Sequence, residues 1–173
     1  MKQFNPIFLP IGAVVSVAAI SVGLAFGAQT PASAQAAYGS YVGIGPSFGL
    51  TRGEDNDREI SAVVSGRYKF LTAPISVRAQ ALIGSGVAIV PTISYDIPIN
   101  WQTDAYIGAG ASIPIGGGDT PVGNQTSFAI QPGIDYALPN SNIVVFGNAI
   151  ISFDAYKRGG AAASLQGGVG LRF

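Results

Sequence analysis

The side chains that could do chemistry in this chain are carboxylates and basic groups, because its 173 residues include no histidine and no cysteine. A Ser–His–Asp triad, a Cys–His pair and the usual zinc sites need those residues and are therefore excluded. A mechanism that used carboxylates alone would have to draw on Asp96, Asp104 or Asp135. We predict that the chain is not an enzyme and that it uses no metal and no cofactor.

Many of the charged residues alternate with apolar neighbours. The set that does so is Glu59, Arg67, Lys69, Arg78, Asp96, Asp104, Asp135 and Arg172. Successive side chains of a strand point to opposite faces, so these charges would all face the lumen if the strands close into a barrel. A charge in a narrow lumen must be paired or hydrated. Two interpretations follow: a salt-bridged cluster that fills and stabilises the barrel, or a narrow charge-lined path for ions or very small polar solutes.

Glycines occupy many positions on the same inward face, where they would leave space inside a barrel. They are Gly39, Gly43, Gly45, Gly49, Gly108, Gly110, Gly168 and Gly170. This space favours the path, and a bulky residue at Gly45 or Gly108 would test it. Larger inward side chains, namely Tyr41, Tyr106 and Phe146, could fill the same space and would then favour the cluster.

The elements that would carry these residues are strands, since apolar and polar residues alternate in eight successive segments between residues 38 and 173. In the second segment, Ile60, Val64 and Tyr68 share one face and polar residues occupy the other. The seventh segment is ambiguous, because apolar residues stand on both of its faces. Each segment has about ten or more residues, the length that a tilted strand needs to cross a membrane.

The connections between the segments alternate in length. Those after segments two, four and six are short, whereas long polar loops follow segments one, five and seven at residues 51–58, 114–125 and 154–160. The tight reversal at residues 84–86 is the exception. This asymmetry predicts an up-and-down barrel with both mature termini in the periplasm. The acidic stretch 54–57 lacks the spaced glycine and distal glutamate of an EF-hand, so we interpret it as a solvated loop.

Aromatic residues on the apolar face cluster near the ends that carry short turns. They are Phe70, Tyr95, Trp101, Tyr136 and Phe173. Such a girdle is typical of a lipid–water interface, and a closing strand with an aromatic end is typical of outer-membrane barrels. A soluble barrel would instead place charges outward, and the pattern contains no polar outward face.

The first 36 residues have the three-part order of a secretory signal peptide. Lys2 precedes an apolar stretch that continues to about Ala28, and small residues follow. Cleavage after Ala34 or after Ala36 fits this order, and we favour Ala36. An uncleaved transmembrane helix is the alternative. The mature chain would then be one barrel domain, residues 37–173.

The terminal Leu171-Arg172-Phe173, the eight alternating segments and the loop asymmetry resemble the small eight-stranded outer-membrane barrels of the OmpA/OmpX type. The resemblance covers residues 38–173 and implies an all-β, eight-stranded antiparallel up-and-down transmembrane barrel in the cell outer membrane. It also implies contact with outer-membrane lipid and recognition of the closing strand, which ends in Phe173, by the barrel assembly machinery. Pro46, Pro91 and Pro132 depart from clean strand chemistry, since each removes a ladder donor and leaves the local register open.

We predict a structural scaffold with a largely filled lumen and exposed loops. The alternative is a narrow porin-like channel, and a third possibility is surface recognition through the loops at residues 51–58 and 114–125. The formal charge of +0 and the lack of a basic block argue against nucleic acid as a partner. The residues identify no solute, no surface ligand and no oligomeric state.

Overall fold

The computed structural model describes residues 39–51, 58–116 and 118–173. The predicted signal peptide and the acidic stretch 54–57 lie outside these residues. Within them, no helix is long and apolar enough to cross a membrane.

Strands make up most of the described part of the chain. They are β1 (Tyr41–Gly49), β2 (Ile60–Lys69), β3 (Ile75–Ile83), β4 (Val87–Asn100), β5 (Thr103–Ile115), β6 (Ser127–Ala137), β7 (Ile143–Phe153) and β8 (Ala162–Arg172). Each strand pairs antiparallel with the next, and β8 pairs with β1, which closes the barrel. The alternating sequence explains these elements, because it gives every strand one face that the lumen can bury and one that it cannot. The predicted eight-stranded up-and-down barrel is confirmed.

The two faces of the barrel wall have opposite chemistry. Large apolar side chains project outward and are exposed around the whole wall, as Ile44, Ile93 and Val169 illustrate. Small, polar and charged side chains project inward and are mostly buried. Strand β7, whose sequence pattern is ambiguous, follows the same rule, since Val145 is exposed outside and Phe146 is buried inside.

The connections differ in length between the two ends of the barrel. One end of the barrel, which we call the turn end, carries the start of β1, the end of β8 and the connections 70–74, 101–102 and 138–142. The loop end carries the connections 50–59, 84–86, 116–126 and 154–161. The predicted asymmetry is therefore present, with residues 84–86 as the short exception at the loop end.

Aromatic rings occupy the space that the inward glycines leave. The Phe146 ring stacks on Tyr41 with 5.8 Å between the ring centroids. A Cβ atom added to Gly43 or Gly168 would lie 2.7 Å from a carbon of the Phe146 ring, which is too short for a real contact. Tyr106 covers the glycine of β6 in the same way. Gly43 and Gly168 therefore make room for the Phe146 ring, whereas Gly45 and Gly110 face the backbone of the neighbouring strand.

Pro46, Pro91 and Pro132, the prolines whose register the sequence leaves open, each interrupt the ladder on one side only. Pro46 keeps its partner Ala62 on β2, but the pairing of β1 with β8 skips Gly45 and Pro46. The pairing of β4 with β5 skips Pro91, and that of β6 with β7 skips Pro132. The register is the same before and after each gap. A missing donor therefore removes paired positions without shifting the strands.

Candidate functional site

Six charged side chains meet inside the barrel near the turn end, and we call them the charged cluster. They are Arg67 and Lys69 on β2, Arg78 on β3, Asp96 on β4, Asp104 on β5 and Asp135 on β6. Each stands at an inward position of its strand, so the strand alternation alone directs it into the lumen. Three are basic and three are acidic, and they therefore balance.

Asp135 is the acceptor that both arginines share. Its Oδ2 atom accepts a hydrogen bond from Nη1 of Arg67 at 2.9 Å and another from Nη2 of Arg78 at 2.9 Å. Its Oδ1 atom accepts one from the hydroxyl of Tyr41 at 3.0 Å. All four side chains are buried, so these ion pairs are shielded from water. Charge-assisted hydrogen bonds of this kind are stronger than neutral ones.

Asp96 is the second buried acceptor. Nη2 of Arg67 lies 2.8 Å from its Oδ2 atom, and Nη2 of Arg78 lies 3.3 Å from its Oδ1 atom. The hydroxyls of Ser76 and Ser94 also donate to this carboxylate. With four donors around it, the buried charge of Asp96 is fully compensated.

Asp104 and Lys69 form the water-facing edge of the cluster. Nζ of Lys69 lies 2.7 Å from Oδ2 of Asp104, and Nη2 of Arg67 lies 2.9 Å from the same atom. The side chains of Lys69 and Asp104 are 24% and 17% exposed. A cavity of about 90 Å³ at this end reaches them and continues to Arg67 and Asp135. Water therefore approaches the cluster from the turn end.

Arg78 lies on the closed side of the cluster. Its guanidinium carbon is 3.3 Å from the centroid of the Tyr106 ring, a cation–π contact, and its Nε donates to Oγ of Ser94 at 2.9 Å. The aromatic layer of Tyr41, Phe146 and Tyr106 thus borders the cluster on its side towards the middle of the barrel.

The arrangement holds strands together. Its members come from β2, β3, β4, β5 and β6, and the Tyr41 hydroxyl adds β1, so one hydrogen-bonded network connects six neighbouring strands. Every carboxylate in it receives at least two donors. Across the described ranges, no group of three histidine, cysteine or carboxylate side chains is placed to hold a metal ion.

Two of the charges predicted for the lumen lie at the two ends of the barrel, outside the six residues of the charged cluster. Glu59 lies half-buried directly before β2 at the loop end, where its backbone carbonyl accepts from the N–H of Gly49 at 2.7 Å and its carboxylate accepts a hydrogen bond from the exposed Ser85 hydroxyl. Arg172 lies half-buried at the rim of the turn end, where its Nη2 donates to the backbone carbonyl of Ser141 and where it lines the same cavity as Lys69 and Asp104.

The aromatic residues predicted for the girdle are exposed at the turn end. They are Phe70, Tyr95, Trp101, Tyr136 and Phe173. Trp101 is 99% exposed at the tip of the β4–β5 turn. On the opposite rim, Phe128 and Phe153 stack with 6.1 Å between their ring centroids. The wall therefore carries aromatic residues on its outer face at both ends.

A feature that the sequence does not reveal closes the loop end. Residues 120–123 of the β5–β6 connection fold into the mouth of the barrel and are buried. Val122 is 0% exposed and belongs to the same apolar cluster as Val63, Leu82 and Ile150 on the strands. The segment Thr-Pro-Val-Gly is a turn signal, but turn signals indicate chain reversal and say nothing of burial.

Comparisons with known proteins agree with the architecture. No family model matches the sequence, and no curated protein matches it. The crystal structure of neisserial surface protein A (NspA) has a TM-score of 0.57 at 18% identity and covers 78% of this chain and 97% of its own. A de novo designed transmembrane β-barrel has a TM-score of 0.54 at 10% identity and covers 78% and 96%. The chain thus has the fold of the small eight-stranded transmembrane β-barrels.

Proposed function

We propose that the chain is an integral outer-membrane β-barrel with a closed lumen, which acts as a scaffold for its loops and has no enzymatic activity. The observation that carries this proposal is the polarity of the barrel wall, which is the reverse of that of a soluble barrel. Large apolar side chains lie outside, and a balanced cluster of six charges lies inside. A soluble barrel would expose the charges and bury the apolar residues. A barrel in lipid requires the arrangement seen here.

Several features favour the outer membrane with both mature termini in the periplasm. Barrels of that membrane have short turns on the periplasmic side and longer loops outside, which matches the turn end and the loop end. The aromatic girdle at the turn end fits a lipid interface, and the aromatic Phe173 directly follows the closing strand β8, where the barrel assembly machinery would bind. A signal peptide over residues 1–36 would deliver the chain to that route. The NspA likeness, which concerns the fold, is consistent with this localisation.

The closed lumen favours a scaffold over a pore. The charged cluster occupies the turn end, the rings of Tyr41, Tyr106 and Phe146 lie next to it, buried polar side chains follow, and Val122 closes the loop end. An eight-stranded barrel is just wide enough for its side chains to fill it. The cavity at Lys69 and Asp104 favours the alternative, a narrow channel for ions or very small polar solutes, because it leaves these two charged side chains partly exposed.

The test is refolding of the chain into lipid vesicles, followed by planar-bilayer recording. Heat-dependent gel mobility should report a folded, membrane-inserted barrel, and the bilayer should stay silent. Discrete conductance steps would overturn the closed lumen and favour the channel, whereas failure to enter vesicles would overturn the membrane assignment.

Glycine variants distinguish an ion current through the lumen from a leak current around the protein. Gly45→Leu is unsuitable, because a Cβ there would lie 1.9 Å from the carbonyl oxygen of Gly167 on the next strand. Gly108→Leu is suitable, since its Cβ would meet no atom closer than 3.4 Å. If the native barrel conducts, Gly108→Leu should abolish the steps, and the outward-facing Gly66→Leu should leave them unchanged.

A further inference from the structure

The turn of residues 120–123, which we call the plug turn, is a preformed unit. Pro121 holds the second position, where its fixed φ favours a turn, and the backbone N–H of Gly123 donates to the carbonyl of Thr120 at 2.9 Å. Gly123 has a φ of +101°, a conformation that side chains other than glycine rarely adopt. The turn therefore has bonds of its own, and Val122 lies at its tip.

The mouth of the barrel fits this turn closely. A Cβ atom added to Gly86 would lie 2.7 Å from the carbonyl oxygen of Asp119, and one added to Gly123 would lie 2.2 Å from that of Ala155. The glycine at each of these contacts lets one loop approach another. The fit is therefore specific to this position of the turn.

The bonds that hold the plug turn join one loop to another. The backbone N–H groups of Asn124 and Gln125 both donate to the carbonyl of Ala155, at 2.9 and 3.0 Å. The Asn124 side chain accepts from the backbone N–H of Lys157 at 3.1 Å and donates to Asp119 at 3.2 Å. None of these bonds belongs to a strand ladder. The turn can therefore leave the mouth without any strand parting from its neighbour.

Beneath the plug turn lies an apolar layer, which contrasts with the opposite end of the lumen. Its strand residues are Val63, Leu82, Val90, Ala129 and Ile150, all fully buried. Polar side chains follow in the middle, where Thr92 donates to Gln131 at 2.6 Å. The charged cluster then occupies the turn end. The two ends are thus closed by contacts of different kinds, apolar at the loop end and ionic at the turn end.

We propose that the plug turn is a displaceable stopper, which seals the loop end of the lumen in series with the charged cluster at the turn end. The inference deepens the proposed closed barrel and rests on it. When the turn leaves, solvent enters a vestibule that ends at the apolar layer, while the cluster keeps the far end closed. Access to the lumen from the loop side is therefore controlled by one short loop segment.

Single cysteines test the closed state, because the native chain has none. A charged, membrane-impermeant thiol reagent should modify Val122→Cys at least about 100-fold more slowly than Thr126→Cys, an exposed residue of the same connection. Equal rates in a folded barrel would overturn the proposal. Asn124→Ala removes a bond that holds the turn, and it should speed the labelling of Val122→Cys. Asn100→Ala at the turn end is the matched control and should not.

Reporter cysteines inside the lumen test the series arrangement. Val122→Asp should expel the turn, since it would bury an unpaired charge. Ser152→Cys, inward and buried near the loop end, should then become reactive. Ser65→Cys, which lies beyond Val63 towards the cluster, should stay protected. Simultaneous labelling of both reporters would show one continuous space and would overturn two seals in series.

The outcomes separate this inference from the closed-lumen proposal. A native barrel that conducts while Val122→Cys stays protected would refute both, since ions would then pass a seated plug turn. A silent native barrel with a freely reactive Val122→Cys would refute the plug turn alone and leave the closed lumen standing. If Val122→Asp fails to fold, the Asn124→Ala result still decides.

Discussion

The hydroxyl of Tyr41 donates to the Oδ1 atom of Asp135 across the lumen, at 3.0 Å, and so connects β1 to β6. Those strands are not neighbours in the barrel wall, and the two residues are 94 positions apart in the chain. The other carboxylate oxygen of Asp135 accepts from Arg67 and Arg78. Asp135 is therefore the point at which the ionic and the aromatic parts of the interior meet.

Removing the charge of Asp135 should destabilise the barrel strongly. In Asp135→Asn, two buried guanidinium groups lose a shared counter-charge, and breaking a buried pair in this way typically costs about 3–5 kcal/mol. The free energy of unfolding, from urea titration in lipid vesicles, measures the loss. Asp154→Asn, in an exposed loop, is the control and should change little. Equal midpoints for the two variants would show that the cluster does not stabilise the fold.

Removing the ring of Phe146 should leave a cavity. Phe146→Ala takes away the group that contacts Tyr41, Gly43 and Gly168, and such truncations cost about 3–5 kcal/mol when the site cannot collapse. The same urea titration measures the effect. Phe153→Ala truncates an outward ring that is about half exposed, so its loss should be clearly smaller. A cost no greater than that of Phe153→Ala would mean that the interior is not packed around this ring.

A methyl group at Gly45 should prevent closure of the barrel. The Cβ of Gly45→Ala would lie 1.9 Å from the carbonyl oxygen of Gly167, where β1 and β8 approach each other at a gap in their ladder. The folded fraction, read from heat-dependent gel mobility after refolding, should fall sharply. Gly66→Ala meets only one backbone oxygen, at 3.9 Å, and should refold like the native chain. Normal refolding of Gly45→Ala would contradict the observed strand spacing.

The single tryptophan should report the position of the girdle. Trp101 is exposed at the turn end, so lipids brominated near the ester group should quench its fluorescence more than lipids brominated near the chain terminus. Moving the tryptophan to the middle of the outward face, in Trp101→Phe with Ala79→Trp, should reverse the order. An unchanged order would remove the support for a girdle at the interface.

The strands and most of the cluster could be predicted from the sequence, because both follow from local geometry. The alternation of side chains depends only on neighbouring residues in the sequence. It therefore directs Arg67, Asp96 and Asp135 inward even when the exact ends of their strands are unknown. The same alternation does not tell at which end of the barrel a charge lies, and Glu59 lies at the loop end, where its carboxylate accepts from the Ser85 hydroxyl. Outward apolar residues at period two, with charges between them, are enough to indicate a barrel in lipid.

The filling of the interior could not be predicted in the same way. Whether the Phe146 ring or a path occupies the glycine space depends on where β7 stands relative to β1, two strands away around the wall. The burial of Val122 depends on contacts with Ala155 and Gly86, which other connections carry. Contacts of this kind are set by closure of the whole barrel, and no short stretch of sequence contains them.

The three proline gaps divide the wall into parts. The ladders within β1–β4, within β5–β6 and within β7–β8 are continuous, whereas the joints between these parts each lack paired positions beside Pro91, Pro132 or Pro46. The closed cylinder is thus one four-stranded sheet and two hairpins, joined along three interrupted ladders. Thermal opening should begin where β8 meets β1, because that ladder has only seven paired positions, in runs of four and three. We therefore expect the closing strand β8 to separate from the wall, and to join it during folding, together with β7 as one hairpin.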